Sequence, residues 1–254
     1  MSKTLEGTAA LVTGASSGIG EATALALAAL GAKVSVAARR RDRLEELAGT
    51  IRQAGGTALV LEADATKADD AKDIVEKTVK EFGRLDIVIN NAGVMLLGPI
   101  ENADIGEWQR MIELNVSGLF AVSHAALPHL LAAAQGEPRR VADLVNISSV
   151  AGRISRSGGG VYSATKFAVN AFSESLRQEV TKRHVRVSLV EPGLVDTELR
   201  SHNKPEVIQF INQAIGPIEP IQSSEIADAI AYVVTRPRHV AINELLIRPT
   251  EQDR

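Results

Sequence analysis

The sequence predicts an α/β fold in which a seven-stranded parallel sheet carries helices on both faces. Three observations lead to this prediction. Short apolar runs alternate with longer segments of helical periodicity almost from end to end of the 254 residues. Most of these runs are continuously apolar, which is typical of strands covered on both faces. Helices separate the runs, as the connections between parallel strands require.

The elements follow one another in a regular order. Each apolar run is predicted as a strand: 8–14, 33–38, 57–64, 85–93, 141–149, 185–193 and 243–249. The segments between them carry apolar residues at helical spacing and are predicted as helices: 20–31, 41–55, 68–83, 107–134, 161–183 and 223–235. Gly83 is expected to end the third helix, and Pro128 is expected to kink the fourth.

The chain is expected to form one dinucleotide-binding and catalytic domain over residues 1–254. No linker, repeat or low-complexity segment divides it. A long excursion follows the sixth strand, within about 194–222. Excursions at strand C-termini are often mobile lids, so this segment is expected to border the substrate.

Composition and charge exclude several classes of protein. A net charge of −3 offers no basic surface for nucleic acid or an anionic membrane. With no cysteine, the chain has no disulfide, thiol nucleophile or thiolate metal site. Its five histidines show no metal-ligand spacing, apart from His124 and His129 on one apolar helix. The N-terminal apolar run is too short for a signal peptide, and no uninterrupted apolar stretch has membrane-spanning length. A cytoplasmic protein without a metal is therefore expected.

A glycine-rich turn, TGASSGIG at 13–20, joins the first strand to the first helix. Gly14, Gly18 and Gly20 permit a tight turn, let a pyrophosphate approach the backbone and let the helix pack on the strand. The helix N-terminus adds free N–H groups and a positive dipole end. A plain strand-to-helix turn rarely needs three glycines and two serines. The stretch therefore predicts a Rossmann-type three-layer sandwich that binds a dinucleotide.

The end of the second strand indicates which dinucleotide is bound. Sites for NAD place an acidic residue there, which accepts hydrogen bonds from the ribose 2′-hydroxyl. This chain has Arg39, Arg40 and Arg41 instead. An arginine pairs with a 2′-phosphate that a carboxylate would repel, so NADP(H) is the predicted cofactor. Arg39 is the first choice for the phosphate, while Arg40 and Arg41 are either further ligands or the solvated start of the next helix.

Four polar residues form a candidate proton-transfer set. Tyr162 precedes Lys166 by one helical turn, in a chain with only two tyrosines. An ammonium there is expected to lower the tyrosine pKa from about 10, so that Tyr162 acts as the acid/base in carbonyl reduction or alcohol oxidation. Ser149 ends the fifth strand and would hold the substrate oxygen. Asn115 is either a buried hydrogen-bonded asparagine or a residue that positions water between the lysine and solvent.

Six ordered motifs resemble the short-chain dehydrogenase/reductase superfamily: TGASSGIG, NNAG at 90–93, LN at 114–115, SS at 148–149, YSATK at 162–166 and EPGLVDT at 191–197. Within it, the chain is similar to NADP-dependent clavulanic acid (clavaldehyde) dehydrogenase and to 3-hydroxy acid/serine dehydrogenases. Its C-terminus, LLIRPTEQDR, departs from the glycine-containing end of 3-oxoacyl carrier protein reductases. That departure disfavours a role in fatty-acid synthesis, although a 3-oxoacyl carrier protein reductase-like enzyme stays an alternative.

The resemblance implies an oxidoreductase that uses NADP(H), acts on a small-molecule carbonyl compound or alcohol, and forms dimers or tetramers. It implies that Tyr162 and Lys166 also contact the cofactor, Lys166 through the nicotinamide ribose. The other implied cofactor contacts belong to the phosphate loop, the adenine-flanking pair, the NNAG loop and the segment after the sixth strand: Gly14, Ser16, Ser17, Gly18, Ile19, Gly20, Asp64, Ala65, Asn91, Ala92, Gly93, Pro192, Gly193, Val195 and Thr197.

Other functions stay open on the sequence alone. A non-catalytic NADPH-binding sensor would be expected to have a damaged serine, tyrosine or lysine, and here all three are intact. A nucleotide-sugar epimerase or dehydratase usually has a larger C-terminal domain. The substrate is not specified by the pattern: Arg153 and Arg156 either favour an anionic substrate or are surface charges.

Overall fold

A computed structural model describes residues 4–253 and confirms the predicted seven-stranded parallel sheet. Its strands are β1 Ala9–Thr13, β2 Lys33–Ala38, β3 Thr57–Glu62, β4 Ile87–Asn90, β5 Ala142–Ile147, β6 Val185–Pro192 and β7 Glu244–Ile247. They lie in the order β3-β2-β1-β4-β5-β6-β7, and every neighbouring pair is parallel. The strand order reverses between β1 and β4, where ligands of such sheets bind at the carboxyl ends of the strands.

Helices cover both faces of the sheet. They are α1 Gly18–Ala29, α2 Arg41–Gln53, α3 Ala68–Phe82, α4 Ile105–Ile112, α5 Leu119–Ala133, α6 Gly160–Val180, α7 Pro205–Ile215 and α8 Ser223–Val234. One hydrophobic core lies between the sheet and α1, α2 and α8, and the other lies between the sheet and α3, α5 and α6. The three predicted layers are therefore present, because the continuously apolar strands supply side chains to both cores.

The long fourth helix differs from its prediction in where it is irregular. A π-helical segment, Glu113–Gly118, joins α4 to α5, whereas the helix continues through Pro128 without a break. Residues 105–133 are long and apolar enough to cross a membrane by length and composition, with a mean hydropathy of 1.4 in their most apolar 18 residues. In the fold, however, Val122, Ala126 and Leu130 pack into the core shared with α3 and the sheet.

The segment after β6 has more regular structure than the sequence pattern indicates. A short 3₁₀ turn, Glu198–His202, and helix α7 lie within the predicted loop of 194–222. Ile221 then makes an isolated parallel bridge with Val195 just before α8 begins. This segment thus returns to the end of β6, which places it beside the carboxyl ends of the central strands.

Candidate functional site

The glycine-rich loop between β1 and α1 adopts the conformation that its sequence predicts. Gly14 and Gly18 have positive φ angles of 64° and 59°. A Cβ on Gly20 would lie 2.4 Å from the carbonyl oxygen of Gly14, so no larger residue fits. The N-cap residue of α1, Ser17, makes no side-chain capping hydrogen bond. The first turn of α1 therefore offers main-chain N–H groups to an anion.

The NNAG loop after β4 is fastened to this phosphate loop. The Asn91 amide donates hydrogen bonds to the carbonyl oxygens of Thr13 and Gly14, at 3.0 and 3.1 Å. The Thr13 hydroxyl in turn accepts from the main-chain N–H groups of Asn91 and Ala92. Thr13 was not among the predicted site residues, although it ends the strand that leads into the loop. These bonds hold the two loops at the switch point in a fixed relation.

The arginines after β2 lie at the far end of the phosphate loop. Arg40 donates to the hydroxyls of Ser16 and Ser17, at 3.1 and 2.8 Å. Arg39 lies near Asp64: burial alone would raise the Asp64 pKa, but hydrogen bonds from Thr66 and the charge of Arg39 leave it lowered. Both arginines border the same cleft, so the residues predicted to recognise a 2′-phosphate are grouped together.

One cleft, with a volume of about 1040 Å³, runs along the carboxyl ends of the strands. Most of the predicted site residues line it: Gly14, Ser16, Ser17, Gly18, Ile19, Arg39, Arg40, Asp64, Ala65, Asn91, Ala92, Gly93, Ser149, Tyr162, Lys166, Pro192, Gly193, Val195 and Thr197. Gly20 and Asn115 do not, and neither does Arg41, which pairs with Glu45. Gly20 lies beneath the phosphate loop, and Asn115 is buried behind the cleft wall.

Ser149, Tyr162 and Lys166 meet inside this cleft. Tyr162 and Lys166 are one turn apart on α6, and Ser149 follows β5. The Ser149 and Tyr162 hydroxyls are hydrogen-bonded to each other. The Lys166 ammonium donates to the carbonyl oxygen of Ile147 at 2.9 Å and lies 5.8 Å from the centre of the Tyr162 ring. The three side chains are thus assembled as the sequence predicts.

The electrostatics of this group differ from the expectation. Burial raises the pKa of Tyr162 to about 12, and the hydrogen bond with Ser149 offsets only part of that effect. Burial also lowers the pKa of Lys166 to about 8. The predicted lowering of the tyrosine pKa is therefore wrong for this structure. That expectation included the charge of the ammonium but not the loss of water around the phenolate.

Asn115 lies in the π-helical segment, and both the nitrogen and the oxygen of its side-chain amide form hydrogen bonds. Its amide nitrogen donates to the Val94 carbonyl oxygen at 2.8 Å and to the Thr165 hydroxyl at 3.2 Å, while its oxygen accepts from the Val94 N–H. The Thr165 hydroxyl donates in turn to the carbonyl oxygen of Tyr162. The first of the two sequence interpretations, a buried hydrogen-bonded asparagine, is confirmed. Asn115 links the 94 segment to the helix that carries Tyr162.

Comparison with known proteins establishes the family. A family model described as short chain dehydrogenase matches residues 8–207. An uncharacterised oxidoreductase of Staphylococcus aureus is 36% identical over 240 residues, which is 94% of this chain and 96% of the relative. The chain belongs to the short-chain dehydrogenase family. It is thus an oxidoreductase of a family that uses nicotinamide cofactors and acts on small molecules.

Solved structures of other proteins resemble this short-chain dehydrogenase along nearly its whole length. The closed form of a serine dehydrogenase complexed with NADP+ has a TM-score of 0.87 and 31% identity, and covers 97% of each chain. A 3-ketoacyl-(acyl-carrier-protein) reductase from Brucella melitensis, complexed with NADH, has a TM-score of 0.85 and 28% identity. It covers 97% of this chain and 99% of that chain. The substrates and cofactors in these names are those of the two relatives.

Two residues of the segment after β6 connect opposite walls of the dehydrogenase's cleft, and the sequence patterns did not identify them. Glu198 pairs with Arg40 at 2.8 Å across the cleft. Asn203, 8% exposed, accepts from the N–H of Leu97 at 2.7 Å and donates to the carbonyl oxygen of Met95 at 2.9 Å. Neither residue belongs to a periodic pattern. The feature that distinguishes Asn203 is its burial within a polar stretch, and that burial cannot be read from the sequence.

A buried carboxylate beside the catalytic group was also missed. Glu191, in β6, is 0% exposed and accepts from Arg153 at 2.7 Å and from the Asn170 amide at 2.8 Å. Arg153 also pairs with Glu244. Since two carboxylates hold Arg153, it is not the substrate cation that the sequence left open. Arg156 does border the cleft.

The described part of the chain, residues 4–253, contains no group of three or more histidine, cysteine, aspartate or glutamate side chains able to hold a metal ion. The C-terminal end contributes to the cleft instead. The Gln252 side chain accepts from the N–H of Leu194 at 2.9 Å, and a Cβ on Gly193 would lie 2.3 Å from the same oxygen. A side chain at Gly193 would therefore require the Gln252 side chain to move.

Proposed function

We propose that this short-chain dehydrogenase interconverts a ketone or aldehyde and an alcohol, with NADP(H) as cofactor and Tyr162 as general acid/base. The observation that carries the proposal is the buried Ser149–Tyr162–Lys166 group inside a cleft that begins at a phosphate loop. Residues 1–254 would act as one catalytic domain, with the segment 194–222 on the substrate side.

The polar residues have complementary tasks in this proposal. The bound nicotinamide would supply or accept the hydride at the substrate carbon. In reduction, the Tyr162 hydroxyl gives its proton to the substrate oxygen, which Ser149 holds by a hydrogen bond. The raised pKa of Tyr162 keeps that proton on the phenol at neutral pH. Lys166 would bind the nicotinamide ribose and stabilise the phenolate left behind. Asn115 would support the site by joining the main chain at Val94 to the Thr165 hydroxyl on the helix that carries Tyr162.

The preference for NADP(H) over NAD(H) rests on the charges after β2. Arg39, Arg40 and the Ser16 hydroxyl border one end of the cleft. The sequence of β2 ends without a carboxylate, whereas the Glu198 carboxylate of the cleft lining pairs with Arg40. A 2′-phosphate placed there would gain charge-assisted hydrogen bonds. The NADP+ bound to the serine dehydrogenase relative supports this choice. The NADH bound to the Brucella reductase belongs to an equally similar fold, so fold alone does not decide the cofactor.

The experiment is a fluorescence titration with NADPH and with NADH, followed by cofactor oxidation against a panel of ketones and aldehydes. NADPH is expected to bind more tightly, and Arg39→Ala is expected to weaken NADPH binding by about tenfold or more while leaving NADH binding unaffected. Tight binding without turnover of any carbonyl would favour the sensor. Equal loss of NADPH and NADH would overturn the proposed 2′-phosphate site. A cytoplasmic location and a dimeric or tetrameric state stay predictions.

A further inference from the structure

Away from the phosphate loop, three segments border the cleft: 94–99, 150–159 and 194–218. We call the space between them the substrate slot. Its described lining is mainly apolar and comes from all three segments: Val94, Met95, Leu97, Pro99, Val150, Ala151, Ile154, Leu194, Leu199, Val207 and Ile218. A small polar substrate would not cover this apolar lining, which would then stay in contact with water.

The charged side chains at the substrate slot are of both signs and are outnumbered by apolar ones. Arg156 and Arg200 border it together with Glu206, so both signs of charge are present. His202 also borders it, and burial and the charge of Arg110 lower its pKa. An imidazole with a lowered pKa is neutral at physiological pH. Arg153 does not border the slot and is held by Glu191 and Glu244, so it contributes no cation to it.

The walls of the substrate slot are pinned to each other. The N–H of Gly98 donates to the carbonyl oxygen of Gly158 at 2.8 Å, which joins the first two segments. Asn203 joins the first to the third, because its amide bonds to both Met95 and Leu97 of the facing main chain. Both ends of the amide are thus satisfied at a site that is almost closed to water. Removing such a group leaves buried main-chain partners without a bond.

From these contacts we propose that the substrate is a carbonyl compound with an uncharged, apolar body. Asn203 is a positioning residue in this proposal, because it holds two walls of the slot at a fixed distance around that body. This inference rests on the proposed function. Each methylene buried between the pinned walls should raise kcat/KM by about fourfold, until the slot is full. If the walls could move apart, each added methylene would not raise kcat/KM by this amount.

The test compares NADPH-dependent reduction of 2-butanone, 2-hexanone, 2-heptanone and 2-octanone, with 6-oxoheptanoate as the charged partner of 2-heptanone. We expect kcat/KM to rise along the neutral series and to be at least about tenfold lower for the carboxylate, because burying a charge in an apolar slot is unfavourable. A flat series, or a preference for 6-oxoheptanoate, would overturn the inference. If only polar carbonyl compounds such as hydroxyacetone are reduced, the proposed function stands but the inference of an apolar substrate is wrong. No turnover of any carbonyl would remove both.

Asn203→Ala tests the positioning role, with Lys204→Ala as the matched control. Lys204 is the next residue of the same segment, 62% exposed and in a loose ion pair with Glu107 at 3.8 Å. Asn203→Ala should lower kcat/KM for 2-octanone about tenfold, mainly through KM, and lower it much less for 2-butanone. Lys204→Ala should leave the chain-length dependence intact, and NADPH titration checks that each variant is folded. An equal loss for every ketone would contradict the positioning role.

Discussion

The burial of Lys166 predicts a pH-dependent change in stability that is separate from catalysis. Its folded-state pKa is lowered from 10.5 to about 8. Between these values the unfolded chain holds a proton that the folded chain has lost, so the free energy of unfolding rises with pH. Below about pH 8 the folded protein bears the full cost of the buried ammonium. That cost disappears once the pH exceeds the unfolded value.

Lys166→Met isolates this effect, because the methionine has similar length and no charge. The variant also removes the hydrogen bond to Ile147, which is a constant loss at every pH. The difference in unfolding free energy, wild type minus variant, should therefore increase by roughly 2–3 kcal/mol between pH 7 and pH 10. Urea unfolding of both proteins at four pH values measures it. A difference that stays constant with pH would refute the account of Lys166.

Further predictions concern the cleft and its support. Glu198→Gln removes the carboxylate that lies 2.8 Å from Arg40, so the affinity for NADPH should rise about two- to fivefold relative to the affinity for NADH. Glu206→Gln is the control. Equal changes in the affinities for both cofactors would contradict the charge argument. Gly118→Ala places a Cβ 2.4 Å from a main-chain oxygen and should cost about 1–3 kcal/mol of stability, whereas Gly49→Ala, with open space, should not destabilise. Since the pKa of Tyr162 is raised to about 12, alcohol oxidation should accelerate from pH 7 to pH 10 while carbonyl reduction does not, and pH-independent oxidation would exclude the tyrosine as base.

The seven parallel strands and the layers were predictable because local pattern and global fold agree. Apolar runs such as those of β1 and β4 are buried at every position. The glycines of the phosphate loop were predictable for a similar reason, since positive φ angles and close backbone contacts leave glycine as the residue that fits.

Contacts between segments distant in sequence were not predictable. Asn203 meets Leu97 across 106 positions, and Arg40 meets Glu198 across 158. No periodicity or spacing records such a meeting, because it depends on how the segment after β6 folds back. The Tyr162 pKa failed for a related reason. A charged neighbour is visible in the sequence, whereas the loss of water around the phenol appears only once the helix is packed.

The most direct test of the proposed chemistry is the turnover of Tyr162→Phe, measured beside Tyr232→Phe. Tyr232 is the chain's other tyrosine, and it is 49% exposed on α8. Tyr162→Phe should bind NADPH as the wild type does and lower the rate of NADPH oxidation with carbonyl substrates by about 10²–10⁴-fold, because the alkoxide then has no positioned acid. Tyr232→Phe should keep its activity. Unchanged turnover in Tyr162→Phe would contradict the assignment of this tyrosine as the acid/base.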